Sequence, residues 1–197
     1  ADVSFHPGGG ALDFTLGYRF NATIYDDLTT LNEMSHVAKV MASWRFLPLN
    51  YAFIESNLEV KDYASEFTPI GADTAENTFG NFVDGMPLKV YAGFSGYLTE
   101  RIAVMIRAGY GNSLLEGSQQ EDFSHFIGDT RISFRFTPRT ALHVGGSRDF
   151  QLAPLGGHME FARGYLAFEQ SIAEVMLIHV DAGLDYRVFG RWTPASQ

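Results

Sequence analysis

The sequence predicts an all-β fold, an antiparallel up-and-down transmembrane β-barrel. Three observations predict it. Apolar and polar residues alternate one by one in segment after segment of the 197-residue chain, the period of a strand with one greasy and one polar side. Four tight turns (Leu47-Pro48-Leu49-Asn50, Leu98-Thr99-Glu100-Arg101, Thr137-Pro138-Arg139-Thr140 and Ser171-Ile172-Ala173-Glu174) interleave with four long polar connections at 27–35, 62–86, 112–124 and 152–160. Short hairpins on one side and long loops on the other mark an outer-membrane barrel. Finally, 46% of the residues are hydrophobic, yet none of the runs approaches the ~18 apolar residues of a membrane helix.

The segments follow in order. Leu12, Phe14, Leu16, Tyr18 and Phe20 share one face, against Asp13, Thr15, Gly17, Arg19, Asn21 and Thr23. In 36–46, Ala38, Val40, Ala42, Trp44 and Phe46 oppose Lys39, Met41, Ser43 and Arg45. In 51–61, Ala52, Ile54, Leu58 and Val60 oppose Glu55, Asn57, Glu59 and Lys61. Segment 87–98 sets Leu88, Val90, Ala92, Phe94 and Leu98 against Lys89, Gly93 and Ser95, and 101–111 sets Ile102, Val104, Ile106, Ala108 and Tyr110 against Ala103, Met105, Arg107 and Gly109. Farther on, Ile132, Phe134 and Phe136 oppose Asp129, Arg131, Ser133 and Arg135, and Leu142 and Val144 oppose His143, Gly145, Ser147 and Asp149. Leu166 and Phe168 then oppose Arg163, Tyr165, Ala167 and Glu169. Last, Met176, Ile178, Val180, Ala182, Leu184 and Tyr186 oppose His179, Asp181, Gly183, Asp185 and Arg187.

That makes nine strands, each near the ~9–11 residues a tilted strand needs to cross a bilayer. With the first strand rising outward, every short turn falls on the periplasmic side and every long loop outside. Nine departs from the even count usual in bacterial single-chain barrels, and the tail Arg191–Gln197 is not strand-like. Three readings account for it. The chain is a portion of a longer barrel; Ala1–Pro7 supplies a tenth strand, or two short strands are merged in the reading; or the edges pair with another subunit, because lipid does not tolerate open edges. Residues 1–197 are read as one domain, and Ala1-Asp2 fits a mature start cleaved after a small residue.

Composition narrows the function. There is no cysteine, so neither a disulfide frame nor a thiolate metal site. A net charge of −9 argues against a nucleic-acid partner, which calls for a concentrated basic surface. The 17 Phe, 9 Tyr and 20 Gly fit aromatic girdles and inward glycines.

The polar face carries the candidate functional residues, as a lumen wall that sets selectivity. Its basic members are Arg19, Lys39, Arg45, Lys61, Lys89, Arg107, Arg131, Arg135, Arg163 and Arg187. Its acidic members are Asp13, Glu55, Glu59, Asp129, Asp149, Glu169, Asp181 and Asp185. In a narrow barrel such charges pair across the interior and fill it; in a wide one they line water. In an open lumen, Arg107→Glu with Arg135→Glu is expected to invert ion preference.

Other chemistry is faint. Loop 62–86 combines Asp62, Glu66, Asp73, Glu76 and Asp84 with Phe67, Phe79, Phe82 and Pro69, a mixture able to stack on sugars or simply to fold over a barrel mouth, and without a Ca²⁺-loop spacing. His6, His36, His125, His143, His158 and His179 lack zinc spacing. Ser124 and His125 are adjacent strand residues and point to opposite faces, so a serine–histidine couple is not expected there. The sequence therefore predicts no enzyme, no catalytic residue, no metal and no cofactor.

Within Arg131–Arg187, the segments Phe134-Arg135-Phe136-Thr137-Pro138-Arg139-Thr140, Gly146-Ser147-Arg148-Asp149-Phe150-Gln151, Tyr165-Leu166-Ala167-Phe168-Glu169-Gln170 and Asp181-Ala182-Gly183-Leu184-Asp185-Tyr186-Arg187 resemble repeated hairpins of the outer-membrane β-barrel porins encoded beside exopolysaccharide-export genes. Pro87–Gly111 is similar in rhythm. The resemblance implies a larger barrel that helps move polysaccharide across the outer membrane, and it brings no catalytic residues. The expectation is a bacterial outer-membrane pore or conduit, its partners being the lipid bilayer and other envelope proteins or further barrel subunits. The alternative is a closed structural barrel that docks envelope proteins. A soluble lipocalin-like binder is disfavoured by the charges opposite the apolar faces.

Overall fold

A computed structural model describes residues 1–24, 32–63, 85–115, 123–152, 158–173 and 175–189. They build one antiparallel sheet of ten strands in sequence order. The strands are β1 (Asp2–Phe5), β2 (Leu12–Thr23), β3 (Glu33–Leu47), β4 (Asn50–Tyr63), β5 (Leu88–Thr99), β6 (Ile102–Asn112), β7 (Ser124–Thr137), β8 (Thr140–Leu152), β9 (His158–Ile172) and β10 (Met176–Phe189). Nine of them are the alternating segments. The tenth is β1, drawn from Ala1–Pro7, which pairs with β2 from Asp2↔Gly17 to Phe5↔Phe14 and reaches it through a 3-10 turn at Pro7–Gly10.

At each of the long connections, strand pairing takes in residues that the sequence assigns to the loop, as with Asn112 and Ser124, which pair with each other. Glu33 and Ser35 pair with Thr23 and Asn21, Asp62 with Met34, and His158 with Leu152. In Glu33 and Ser35, polarity marks a strand face turned to other polar groups rather than a loop. Residues 64–84, which hold most of the acidic aromatic loop, lie outside the described residues, as does the tail 190–197.

Two of the four tight turns are held by hydroxyls. Thr99 Oγ1 accepts the N–H of Arg101 (3.3 Å) and of Ile102 (3.1 Å), and Thr137 Oγ1 that of Arg139 (3.2 Å). Such local side-chain bonds favour turns over continued strand. A one-residue register shift sits beside three of these hairpins, at Arg45/Leu47, Tyr97/Thr99 and Arg135/Thr137.

The register carries one parity across the sheet. Asp13, Ser43, Phe53, Gly93, Arg107, Asp129, Ser147, Arg163 and Asp185 form a continuous rung. This is the concave face, because side chains of non-neighbouring strands meet on it: Glu55 of β4 with Arg107 of β6, and Lys89 of β5 with Asp149 of β8. The convex face exposes aliphatic residues such as Leu16, Val40, Ile54, Ile106, Leu166 and Val180. Exposed aromatics border that band, with Trp44, Phe46, Phe134 and Phe136 toward the tight turns and Tyr18, Phe20, Tyr110, Phe126 and Tyr186 toward the long connections.

Inward aromatics are seated on inward glycines. Phe53, Tyr91 and Tyr165 stand directly opposite Gly93, Gly109 and Gly145, and in each pair the ring lies where a glycine Cβ would project. A ring can lie flat along the wall only where its neighbour has no side chain. Among the described residues the sheet keeps two edges: β1 pairs with β2, β10 with β9, and no ladder joins β1 to β10. All of β10 is exposed.

Candidate functional site

All eighteen predicted wall residues fall on the concave face, but the structure divides them into groups with different chemistry. The central group is a chain of charges. Glu55, 6% exposed, receives Lys39 Nζ on Oε2 at 3.0 Å, and its Oε1 accepts Asn57 Nδ2 at 2.7 Å and Arg107 Nη1 at 3.4 Å. Arg107 reaches onward to Asp129 at 3.7 Å and lies over the Tyr91 ring, 4.6 Å from its centroid. Four strands, β3, β4, β6 and β7, thus converge on one alternating cation–anion row. Each member is close to an opposite charge, which offsets the cost of removing it from water.

Toward the long connections, the concave face is covered. The β7–β8 ladder stops at Gly128↔Arg148, whereas β8 and β9 stay paired up to Leu152↔His158. Beyond that point Phe150 lies on the inner side of the sheet, against Gly111 of β6. It stacks on Phe123 with ring centroids 4.1 Å apart and forms an apolar cluster with Tyr91, Phe123 and Ile127. His158 meets Phe123 edge-on at 5.4 Å. Lys89 binds this end, with Nζ 2.7 Å from Asp149 Oδ1 and donating to the Phe150 carbonyl, also at 2.7 Å.

Toward the turns the face is more open. Ser133 Oγ lies 2.8 Å from His143 Nδ1, His143 Nε2 is 3.7 Å from Glu169, and His179 lies 3.3 Å from Glu169 and 3.5 Å from Asp181. Serine, imidazole and carboxylate stand in sequence, but β7 is an interior strand bonded on both edges, which leaves no free pair of backbone N–H groups to hold an oxyanion. Among the described residues, no three His or carboxylate side chains are grouped so as to hold a metal ion. Ser124 and His125 do not meet each other: Ser124 bonds Tyr110, and His125 packs edge-on against Phe123.

The remaining wall residues are at the rim and edge. Arg163 makes a two-pronged contact with Asp185 (2.6 and 3.1 Å), and Arg187 approaches the same carboxylate at 3.7 Å. Arg131 donates to the Tyr165 hydroxyl at 2.8 Å. Arg45 borders a cleft with Asp13 and Tyr51, Arg135 one with Tyr97, Ser133 and His143, and Glu59 one with Asn57, Lys89 and Arg107. Arg19, Arg45, Arg131 and Arg135 form no ion pair with a described residue.

Phe150 and its cluster are what sequence reasoning missed. Simple alternation places Phe150 on the convex face with Leu142 and Val144. The available signal is Arg148, an exposed charge at a position of convex parity that pairs with Glu160 at 2.9 Å; it marks where β8 leaves the apolar band. No family model, curated protein or solved structure matches this chain.

Proposed function

We propose that this chain is an outer-membrane β-barrel protein whose charged concave face lines a conduit. The observation that carries the reading is the division of one sheet into an exposed aliphatic band with aromatic borders and an opposite face of charges. In water that band would be a large exposed apolar surface, whereas against lipid tails it is at home, and Trp and Tyr favour the two interfaces. Strand directions support closure. β1 runs antiparallel to β2 and β10 antiparallel to β9, so β1 and β10 of a ten-stranded sheet would meet antiparallel, and joining them removes the edges that lipid penalises.

Four of the wall's arginines are open to a passing anion. Lys39, Lys89, Arg107 and Arg163 already face carboxylates, while Arg19, Arg45, Arg131 and Arg135 stand outside ion pairs among the described residues. Arg107 is poorly suited to a selectivity test, because a glutamate there would face Glu55 and Asp129. Arg131→Glu with Arg135→Glu is the cleaner variant. In planar bilayers we expect an anion-preferring channel that this pair of changes turns toward cations; a conducting channel with unaltered preference would remove these arginines from the wall.

Polysaccharide as cargo rests on the resemblance within Arg131–Arg187. A second reading, a closed barrel that docks other envelope proteins, draws on the ion-paired row around Glu55 and the apolar cover at Phe150. Reconstituted protein that inserts but passes no current would favour it.

A further inference from the structure

We propose that the loop-side ends of β8 and β9 are a hinged cap over the mouth of the concave face, held shut by Lys89. The proposal rests on the conduit reading for its function but not for its mechanics. The two strand ends have separated from β7 above Gly128↔Arg148 yet remain bonded to each other through Leu152↔His158, and β9 stays paired with β10 through Met159↔Phe189, so they can move inward or outward only together with the end of β10, and in that way without breaking their own ladders. Just below the separation, Gly146 stands opposite Gly164. Nothing lies within 4 Å of where a Cβ at Gly164 would be. Two facing glycines give the paired strands a bendable rung.

The closed position is specified by contacts from the opposite wall. Lys89 on β5 spans to β8, pairing with Asp149 and capping the Phe150 carbonyl, and its ammonium lies 4.7 Å from the centroid of the Phe150 ring. Gly111 leaves the space that the Phe150 ring fills, and Leu152, 7% exposed, closes over Gly85. One lysine therefore makes three contacts that exist only while the strand ends are folded inward. Apolar burial holds the cap down without direction, and Lys89 fixes where it sits. Cargo carrying anionic groups would compete with Asp149 for that ammonium, so arrival at the mouth would itself loosen the latch.

The test uses the absence of native cysteine. Leu152→Cys in the full chain, reconstituted in vesicles, is treated with a membrane-impermeant maleimide, alone and combined with Lys89→Met. We expect labelling to accelerate about tenfold or more once the latch is lost, the scale on which a charge-assisted hydrogen bond shifts an opening equilibrium. Lys89→Asp with Asp149→Lys should return it toward the slow rate, which general misfolding would not do. Labelling unaffected by Lys89→Met overturns the cap. Accelerated labelling with no change in bilayer conductance supports the moving cap and overturns the conduit reading, so the two can fail separately.

Discussion

The loop-side half of the concave face and its turn-side and edge half are written in the same residues, and they behave differently. Around Glu55 and Phe150, cations, carboxylates and rings from β3 to β9 crowd together, and Glu55, Phe150 and Phe123 are buried. Along β9 and β10, Arg163, Asp185 and Arg187 make equally short contacts while exposed. Proximity of opposite charges is therefore not what separates a structural element from a solvated wall. The difference is whether strands two or three apart bend toward one another, as β4 and β6 do at Glu55–Arg107.

That contrast can be broken by substitution. Phe150→Ala should have the largest effect, a loss of about 3–5 kcal/mol for a buried ring, read by urea unfolding in lipid vesicles. A loss below about 1 kcal/mol, typical of a surface site, would mean that the strand ends are not packed inward. Glu55→Gln comes next, at roughly 1–3 kcal/mol, because Lys39 and Arg107 lose their shared acceptor. Equal sensitivity at the half-buried Glu59, where we expect a change within about 0.5 kcal/mol, would erase the distinction between row and rim. Gly109→Ala should cost about 1–3 kcal/mol, since its Cβ would press on the Val90 carbonyl and the Tyr91 ring, a case of overpacking against backbone. Gly164→Ala, into open space, is the matched control and should stay within about 0.5 kcal/mol. The smallest effect belongs to Arg163→Ala at the edge, which should leave the unfolding midpoint in place; a clear drop there would show that β10 is covered by a partner strand.

Much of this was legible in the chain. Leu12 through Phe20 announce a strand with one apolar face, and Thr137-Pro138-Arg139-Thr140 announces its turn, because both depend on neighbours in sequence. β1 was harder. Its four residues are too few to establish a period, and it was open only as one of several explanations for an odd strand count. The sequence places the start of β3 too late, because Glu33 and Ser35 look like loop residues until a concave polar face exists to receive them. For the candidate site, parity was enough to put Lys39, Glu55, Arg107 and Asp129 on one side, but not to say which would touch.

The sequence by itself determined the class of fold, the strand order and the division into apolar and charged faces, since alternation and turn chemistry are local and an antiparallel meander adds each strand beside the last. The tertiary structure decided which charges became a row, which aromatic rings settled on glycines, and that Phe150 turned inward. Those outcomes depend on curvature, which brings together residues as far apart in sequence as Lys89 and Asp149, and no local pattern records how far a sheet will bend.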